Sequence, residues 1–451
     1  MFPVITTSLH RIYDRLAGSP TRAALTKKIG GSFVVNVFGT GIAFALQIVL
    51  ARLLGASSFG QYIYALTWIN FIVMFGKFGL DTAALRFIPG YQAKNQWQLM
   101  RGFVRKSRQW AVLFSLFLSL AIYLVLYFLK NRLDPELTRT FYIAGIILPV
   151  STYLIMQGSY LQALKHIVLA QAPQVIARPL LLIACLFAYA QFSDGMTPAS
   201  IAMAITLGVS LFTLFLMSGI SYLAFPKEIR TSTPLYETNT WARAAFPMLL
   251  IGGFTLMLNQ TDILIVGMLL DTTQAGIYSA ASRITILLPF GITLVNSVAA
   301  PVMAQLHSQN KIEQLQRMIT YIAWGTLLFS LPLCLGIVIF SEFLMSMFGR
   351  DFIAGSPTLS ILAIARFITA ITGTAGYLMS MSGHENQAAW IVGGSAMVNI
   401  VLNLILIPFL GMEGAAISTL LTTILWTTLM VIYVKRLVGV KVTVFNFRPN
   451  Q

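Results

Sequence analysis

The sequence predicts an all-α membrane protein: twelve transmembrane helices in two six-helix lobes related by a repeat. Three observations predict it. Of 451 residues, 57% are hydrophobic and only 10% charged, and the mean hydropathy is +0.79; soluble domains carry about a quarter charged residues. The apolar residues fall in long runs, and about 20 such residues cross a hydrocarbon core. One short stretch also returns half a chain later. Leu54, Gly60, Tyr62 and Ala65, in LLGASSFGQYIYAL, correspond to Leu270, Gly276, Tyr278 and Ala281, in and just after LLDTTQAGIYSA, each 216 positions on.

Taken in order, span 1 covers 30–54 and span 2 covers 59–84, with the repeated stretch as the turn between them. Spans 3 and 4 cover 109–130 and 140–163. Span 5, 168–190, carries Pro173 and Pro179, and span 6 covers 198–224. A polar link at 225–240 divides a first lobe, 30–224, from a second, 241–434. Spans 7 to 12 cover 241–270, 274–304, 318–341, 354–381, 387–409 and 413–434. A second echo supports the repeat: Tyr160 and His166 in YLQALKHIVLAQ resemble Tyr377 and His384 in YLMSMSGHENQA. Six spans per lobe return the chain to its starting side, so both lobes share one orientation. The prolines at 173, 179, 289 and 332 remove backbone hydrogen bonds and allow bends.

The net charge is +16, which raises nucleic acid as a partner. The basic residues lie between apolar spans, which points instead to a bilayer surface and excludes nucleic acid. Most of the 30 lysines and arginines fall in the N-terminal segment 1–29, in connections after even-numbered spans, or in the tail 435–451. Both termini are therefore expected in the cytoplasm. Met1–Lys28 holds no apolar core long enough for a cleavable signal. Leu9, Ile12, Tyr13 and Leu16 share a face opposite Arg11, Asp14 and Arg15, as in a helix lying on the bilayer.

No connection is long enough to fold as a soluble catalytic domain, and HExxH, GxSxG and phosphate-loop motifs are absent from the sequence. An enzyme is not expected, and neither is a cofactor. Cys185 and Cys334 both sit inside spans, so no disulfide framework is implied. His10, His166, His307 and His384 are scattered near span edges, not clustered as metal ligands.

Charges inside the spans are the informative residues, because one at mid-membrane costs about 2.5–3.5 kcal/mol on insertion scales. They are Lys77 and Asp81 in span 2, Arg178 in span 5, Asp262 in span 7, Arg283 in span 8 and Arg366 in span 10. Arg52 and Arg86 stand at the ends of spans 1 and 2. By default such groups face a wet cavity or one another. Lys77 and Asp81 are four apart and also fit a self-neutralising pair, and Arg52 and Arg86 also fit snorkelling to the interface. Thr255, Asn259 and Asp262 share one face of span 7; Asn399 and Asn403 share one of span 11. The positions matching the span-7 stripe in span 1 are Gly39, Ala43 and Leu46, so the acid belongs to the second lobe only. Asn36, Thr40 and Gln47 line a face of span 1 and suit contacts between helices or with sugar hydroxyls.

The opening block SFVVNVFGTGIAFALQIVLARLLGASSFGQYIYALTWINFIVMFGKFGLDTAALRFIPGY resembles the start of the polysaccharide-biosynthesis flippases. These are the Wzx-type exporters of O-antigen and capsule repeats, in the superfamily that also holds the MATE drug exporters and the lipid II flippase. The likeness is sharpest over 30–91 and runs through both half-repeats. It implies a MATE-like fold of two lobes that open to either side of a bacterial cytoplasmic membrane. The implied cargo is an undecaprenyl-pyrophosphate-linked oligosaccharide, and polymerase machinery is an expected partner. In that setting Arg178, Arg283, Arg366, Lys77 and Arg52 would escort the diphosphate, since a guanidinium fork matches phosphate oxygens and stays ionised. Asp262, Asn259, Asn399, Asn403 and Asp81 would bind a coupling H⁺ or Na⁺. In the lipid II flippase a span-7 carboxylate and two polar span-11 residues form a sodium site, although here both span-11 positions are Asn. Asp262 could instead pair with an arginine of another span. Three rival readings stand: a MATE-type drug exporter, which would favour an acidic cavity; the lipid II flippase, usually of fourteen spans; and a glycan polymerase, which would need a large outer loop.

Overall fold

A computed structural model of the chain describes residues 20–129, 131–193, 195–440 and 442; the N-terminal interfacial helix and the end of the basic tail lie outside them. Side chains are described from residue 35 on, except at some positions within 251–304 and 380–385. The elements in order are α1 Pro20–Lys77, α2 Leu80–Ala93, α3 Trp97–Leu129, α4 Pro135–Ala163, α5 Ile167–Gln191, α6 Ala199–Ala224 and the short α7 Lys227–Thr231. Then follow α8 Thr238–Leu269, α9 Thr272–Thr285, α10 Leu287–Ser308, α11 Ile312–Ile339, α12 Ser341–Ser346, a 3₁₀ turn Arg350–Gly355, α13 Ser356–Thr372, α14 Thr374–Met381 and α15 Glu385–Leu437. Among the described residues, eight helices are long and apolar enough to cross a membrane.

Two of those eight are too long for one crossing. The apolar parts of α1 and α15 run 43 and 52 residues. At about 1.5 Å per residue each is at least twice the roughly 30 Å hydrocarbon thickness. Each is divided by a glycine with non-helical backbone: Gly55 at φ 72°, ψ 170°, and Gly411 at φ 59°, ψ −143°. Both lie where the sequence separates two spans. At the same end of the molecule, Asp134 caps α4 by accepting from Glu136 N and Leu137 N, with Pro135 in the first turn. Asp271 caps α9 in the same way, accepting from Gln274 N.

Four expected spans are interrupted. Span 2 breaks at Phe78 and Gly79, both with positive φ, and continues as α2 to Ala93. Span 5 contains a π-helical turn, Pro173–Ala177, because Pro173 removes a backbone donor and lets the register slip by one residue. Span 8 breaks at Ile286 and span 10 at Gly373. Span 3 begins earlier than its apolar run, at Trp97. Its polar first turns lie on the linker side, where Arg101 donates to the carbonyls of Arg230 and Ser232 and Gln98 O accepts from Leu235 N. The link 225–240 is thus bonded to α3.

Helices before the link pack mainly on one another, as do those after it. The principal junctions between the halves run from α1 and α2 to α8 and α9. At the junction of α1 with α9 the backbones touch. A Cβ on Gly60 would lie 2.1 Å from Thr272 O, and one on Gly276 would lie 2.6 Å from Gly60 Cα. These are the two glycines that the repeat equates. Phe59 stacks edge-on to Phe352 beside them, and Arg52 Nε donates to Met347 O at 2.7 Å. Among the described residues α1 does not pack along α10, so the halves join tightly at the Gly60 end and along α2–α8 but not across α1–α10.

Gly60→Ala should lower the thermal unfolding midpoint in detergent, by the equivalent of about 1–3 kcal/mol for an overpacked site. Gly41→Ala, where an added Cβ meets nothing within 4 Å, should leave the midpoint unchanged or raised.

Candidate functional site

The residues singled out by charge fall into two polar centres, one in each half, each anchored by a repeat-related tyrosine. The second-half centre forms around Asp262, on α8, which is 7% exposed. Tyr278, from α9, donates its hydroxyl to Asp262 Oδ2 at 2.9 Å. Thr419, from the second leg of α15, donates to the same oxygen at 2.6 Å. Asn403, from the first leg, donates Nδ2 to Oδ1 at 2.7 Å and shares that amide with Asn399 Oδ1 at 3.1 Å. Asn399 and Asn403 are four residues apart, so one helical face delivers both. The four helical segments that meet here come from sequence positions up to 157 residues apart.

No lysine or arginine lies within ion-pair distance of Asp262 among the described residues; the one ion pair among them is Lys77–Asp81. The reading in which Asp262 pairs with an arginine is not what the structure contains. Three neutral donors answer the carboxylate instead, and charge-assisted hydrogen bonds of this kind are the stronger sort. Asn403 Oδ1, next to this carboxylate, is buried without a hydrogen-bond partner. The donor set is therefore rich in hard oxygens: the carboxylate, two amide oxygens and a hydroxyl. It fits a proton on Asp262 or a small hard cation. Arg366, half-buried on α13, has no side-chain hydrogen bond among the described residues but lies within electrostatic reach of the Tyr278 hydroxyl. Asn259 and Thr255 lie outside the described side chains.

The first-half centre has the opposite sign. Arg178, half-buried at the end of the π turn, donates Nη2 to Ser210 Oγ at 2.9 Å. Ser210 Oγ donates to Thr206 O, and Thr206 Oγ1 donates to Ala202 O at 2.8 Å. Thr206 Oγ1 is 2.9 Å from the Tyr62 hydroxyl, which donates to it. Arg178 thus has hydroxyl neighbours and no acid.

The remaining candidates are dispersed. Arg283 is half-buried on α9 with no hydrogen bond or ion pair among the described residues. Lys77 Nζ and Asp81 Oδ2 are 2.5 Å apart across the Phe78–Gly79 break, so they neutralise one another. Arg52 is exposed and bonded to Met347 O between the halves, and Arg86 lies over the Phe87 ring at 5.7 Å. Asn36 donates to Gln171 Oε1 at 3.2 Å, the contact between helices expected for that face.

Sequence reasoning missed Thr419 and the site role of the two tyrosines. Tyr62 and Tyr278 are visible as repeat markers, and Ser418, Thr419, Thr422, Thr423 and Thr427 form a hydroxyl stripe in span 12 that signals a polar contact.

The family model described as Polysaccharide biosynthesis protein matches residues 25–307, more than half of the chain. The chain belongs to the polysaccharide biosynthesis protein family. The MatE model also matches, over residues 247–405. Among named relatives, the probable low-salt glycan biosynthesis flippase Agl15 of Haloferax volcanii is 25% identical over 418 residues, 91% of this chain and 83% of its own. The membrane protein EpsK of Bacillus subtilis is 24% identical over 440 residues, 92% and 85% of the two chains. In structure, an inward-facing MATE multidrug transporter superposes with TM-score 0.72 at 14% identity, over 89% of this chain and 94% of that one. The lipid II flippase MurJ, inward closed, superposes with TM-score 0.68 at 17% identity, over 90% and 87%. This member of the polysaccharide biosynthesis protein family has the fold of the MATE transporter and of MurJ, with eight helices among the described residues long and apolar enough to cross a membrane.

Asp262→Ala should destabilise the protein by on the order of 2–3 kcal/mol, because three buried donors lose their acceptor. Thr419→Val, which removes one donor, should cost about 1 kcal/mol. Thermal unfolding in detergent measures both.

Proposed function

We propose that this chain flips an undecaprenyl-pyrophosphate-linked oligosaccharide from the cytoplasmic to the outer leaflet of a bacterial cytoplasmic membrane. The cycle is ion-coupled alternating access between two six-helix lobes. Counting α1 and α15 as two legs each raises the eight membrane-length helices to ten, and reading α8 and the α9–α10 pair as one span each brings the proposal to twelve, with both termini cytoplasmic from the basic connections. In that orientation the Gly60–Gly276 contact closes the outer side.

The observation that carries the reading is the state of Arg283 and Arg366. Both are half-buried in apolar helices, and neither has an acid partner among the described residues. An unanswered guanidinium inside a membrane is costly and is retained for function. A diphosphate head group crossing the bilayer supplies the missing counter-charge, bound through the guanidinium fork. The lipid tail stays in the bilayer while the head group passes between the lobes. Asp262, with Asn399, Asn403, Tyr278 and Thr419, is the coupling site for H⁺ or Na⁺. When bound, the ion supplies a positive charge to a carboxylate that has only neutral donors. The likeness to a MATE transporter supports the fold and not drug export, since the groups without an acid partner here are cations.

Cells lacking the chain should accumulate lipid-linked glycan in the inner leaflet and lose the corresponding surface polymer. Arg283→Ala and Arg366→Ala should each restore less than about one-tenth of wild-type export, the loss of one charge-assisted bond. Asp262→Asn should abolish dependence on the ion gradient while the protein reaches the membrane at normal levels. Unaltered surface glycan in the deletion strain, with raised sensitivity to cationic drugs, would support the MATE-type reading in its place.

A further inference from the structure

A second polar site lies in the first half, away from Asp262. A cavity of about 260 Å³ opens between α2, α4 and α5. Its polar wall is Asp81, Thr82, Ser159, Gln162 and Gln174. Gln174 belongs to the π turn that follows Pro173, and the slipped register of that turn sets its direction. It lies against Gly158, where an added Cβ would meet Gln174 Nε2 at 2.7 Å.

The hydrogen bonds of this wall are incomplete. Asp81 Oδ2 accepts from Lys77, whereas Asp81 Oδ1 is buried without a partner. The Thr82 hydroxyl and the Gln162 amide make no hydrogen bond among the described residues. Ser159 Oγ donates to Ile155 O at 3.1 Å and keeps its lone pairs. Gln174 Nε2 has only long contacts, 3.4 Å to Leu154 O and 3.5 Å to Met217 Sδ. Asp81 Oδ1, buried and unmet, is costly, and with the open polar groups beside it calls for a polar occupant.

The chemistry of the occupant follows from the mixture. Acyl chains would leave every one of these groups unsatisfied. A phosphate would meet the Asp81 carboxylate, already paired with Lys77, and among the described residues no lysine or arginine lines the cavity. A pyranose ring offers adjacent hydroxyls that donate to a carboxylate or amide oxygen and accept from an amide or hydroxyl, which matches the wall group for group.

We propose that this cavity binds a neutral pyranose ring of the lipid-linked glycan during its passage, with Thr82, Gln162 and Asp81 as the discriminating contacts. The assignment rests on the flippase reading and deepens it. It separates two tasks: the arginines bind the diphosphate that all such lipids share, and this cavity reads the sugar.

The test uses the full chain in proteoliposomes with two probes. One is undecaprenyl pyrophosphate without sugar; the other is the lipid-linked glycan extracted from cells that lack the chain. Thr82→Ala and Gln162→Ala should slow flipping of the glycosylated probe about five- to tenfold, as expected for one lost hydrogen bond to the sugar. They should leave the bare lipid unchanged, and Gln162→Asn should recover part of the loss. Thr82 is exposed, so its variant tests the cavity without disturbing the fold. Equal loss for both probes, or no loss for either, would overturn the sugar site while the flippase reading stands. A wild-type chain that moves neither probe overturns that reading, and the sugar site with it.

Discussion

A charged group inside an apolar slab is stable only where something answers its charge, and this chain answers the two signs differently. Asp262 is nearly enclosed and receives three hydrogen bonds from neutral donors. Arg178 leans on a chain of hydroxyls, while the guanidinium groups of Arg283 and Arg366 have no hydrogen bond among the described residues. The one ion pair among the described residues, Lys77–Asp81, is local to a single helix break and joins nothing across the molecule. Opposite charges are thus kept apart although each would stabilise the other. That separation has an energetic cost, and it leaves charges available to a passing anion and a coupling cation, the roles proposed for them.

The repeat explains how two opposite centres arise from one plan. Tyr62 and Tyr278 occupy equivalent positions on equivalent helices, and each donates its hydroxyl into the polar interior of its own half. What they reach has diverged: a threonine beside a guanidinium in the first half, a carboxylate in the second. The backbone plan is shared while the chemistry is not, because the helix that carries Asp262 has only Gly39, Ala43 and Leu46 at the matching stretch of the first half.

The same repeat builds the junction between the halves. Gly60 and Gly276 meet backbone to backbone because neither has a side chain to hold the helices apart. Phe59 and Phe352 pack beside the two glycines, and the buried core runs across this junction. The interrupted helices add compliance elsewhere: the Phe78–Gly79 break, the π turn at Pro173 and the break at Gly373 each relieve a long helix of some backbone hydrogen bonds. The π turn also re-aims Gln174 toward α4, so one local irregularity shapes both the flexibility and the chemistry of the first half.

The sequence by itself determined the helical class, the span edges near Gly55 and Gly411, the repeat, and the list of charges that an apolar chain must account for. These follow from composition and period, which act locally: about 20 apolar residues either fill a hydrocarbon core or they do not. It also placed Asn399 and Asn403 on one face, since spacing along a helix is a local property, whereas Asp262 as their neighbour was implied only by the resemblance to the lipid II flippase. Only the tertiary structure decided which charges have partners. That Asp262 meets Tyr278 and Thr419 and not an arginine, and that Arg52 binds a carbonyl between the halves, depend on how helices far apart in the chain are rotated and set against one another, whereas the Lys77–Asp81 pair was legible in the four-residue spacing. The bend at Pro173 was legible in the proline, but its π form and the breaks at Gly79, Ile286 and Gly373 were hidden, because an apolar helix tolerates them only where neighbouring helices satisfy the freed backbone groups, and those neighbours are not written in the local sequence.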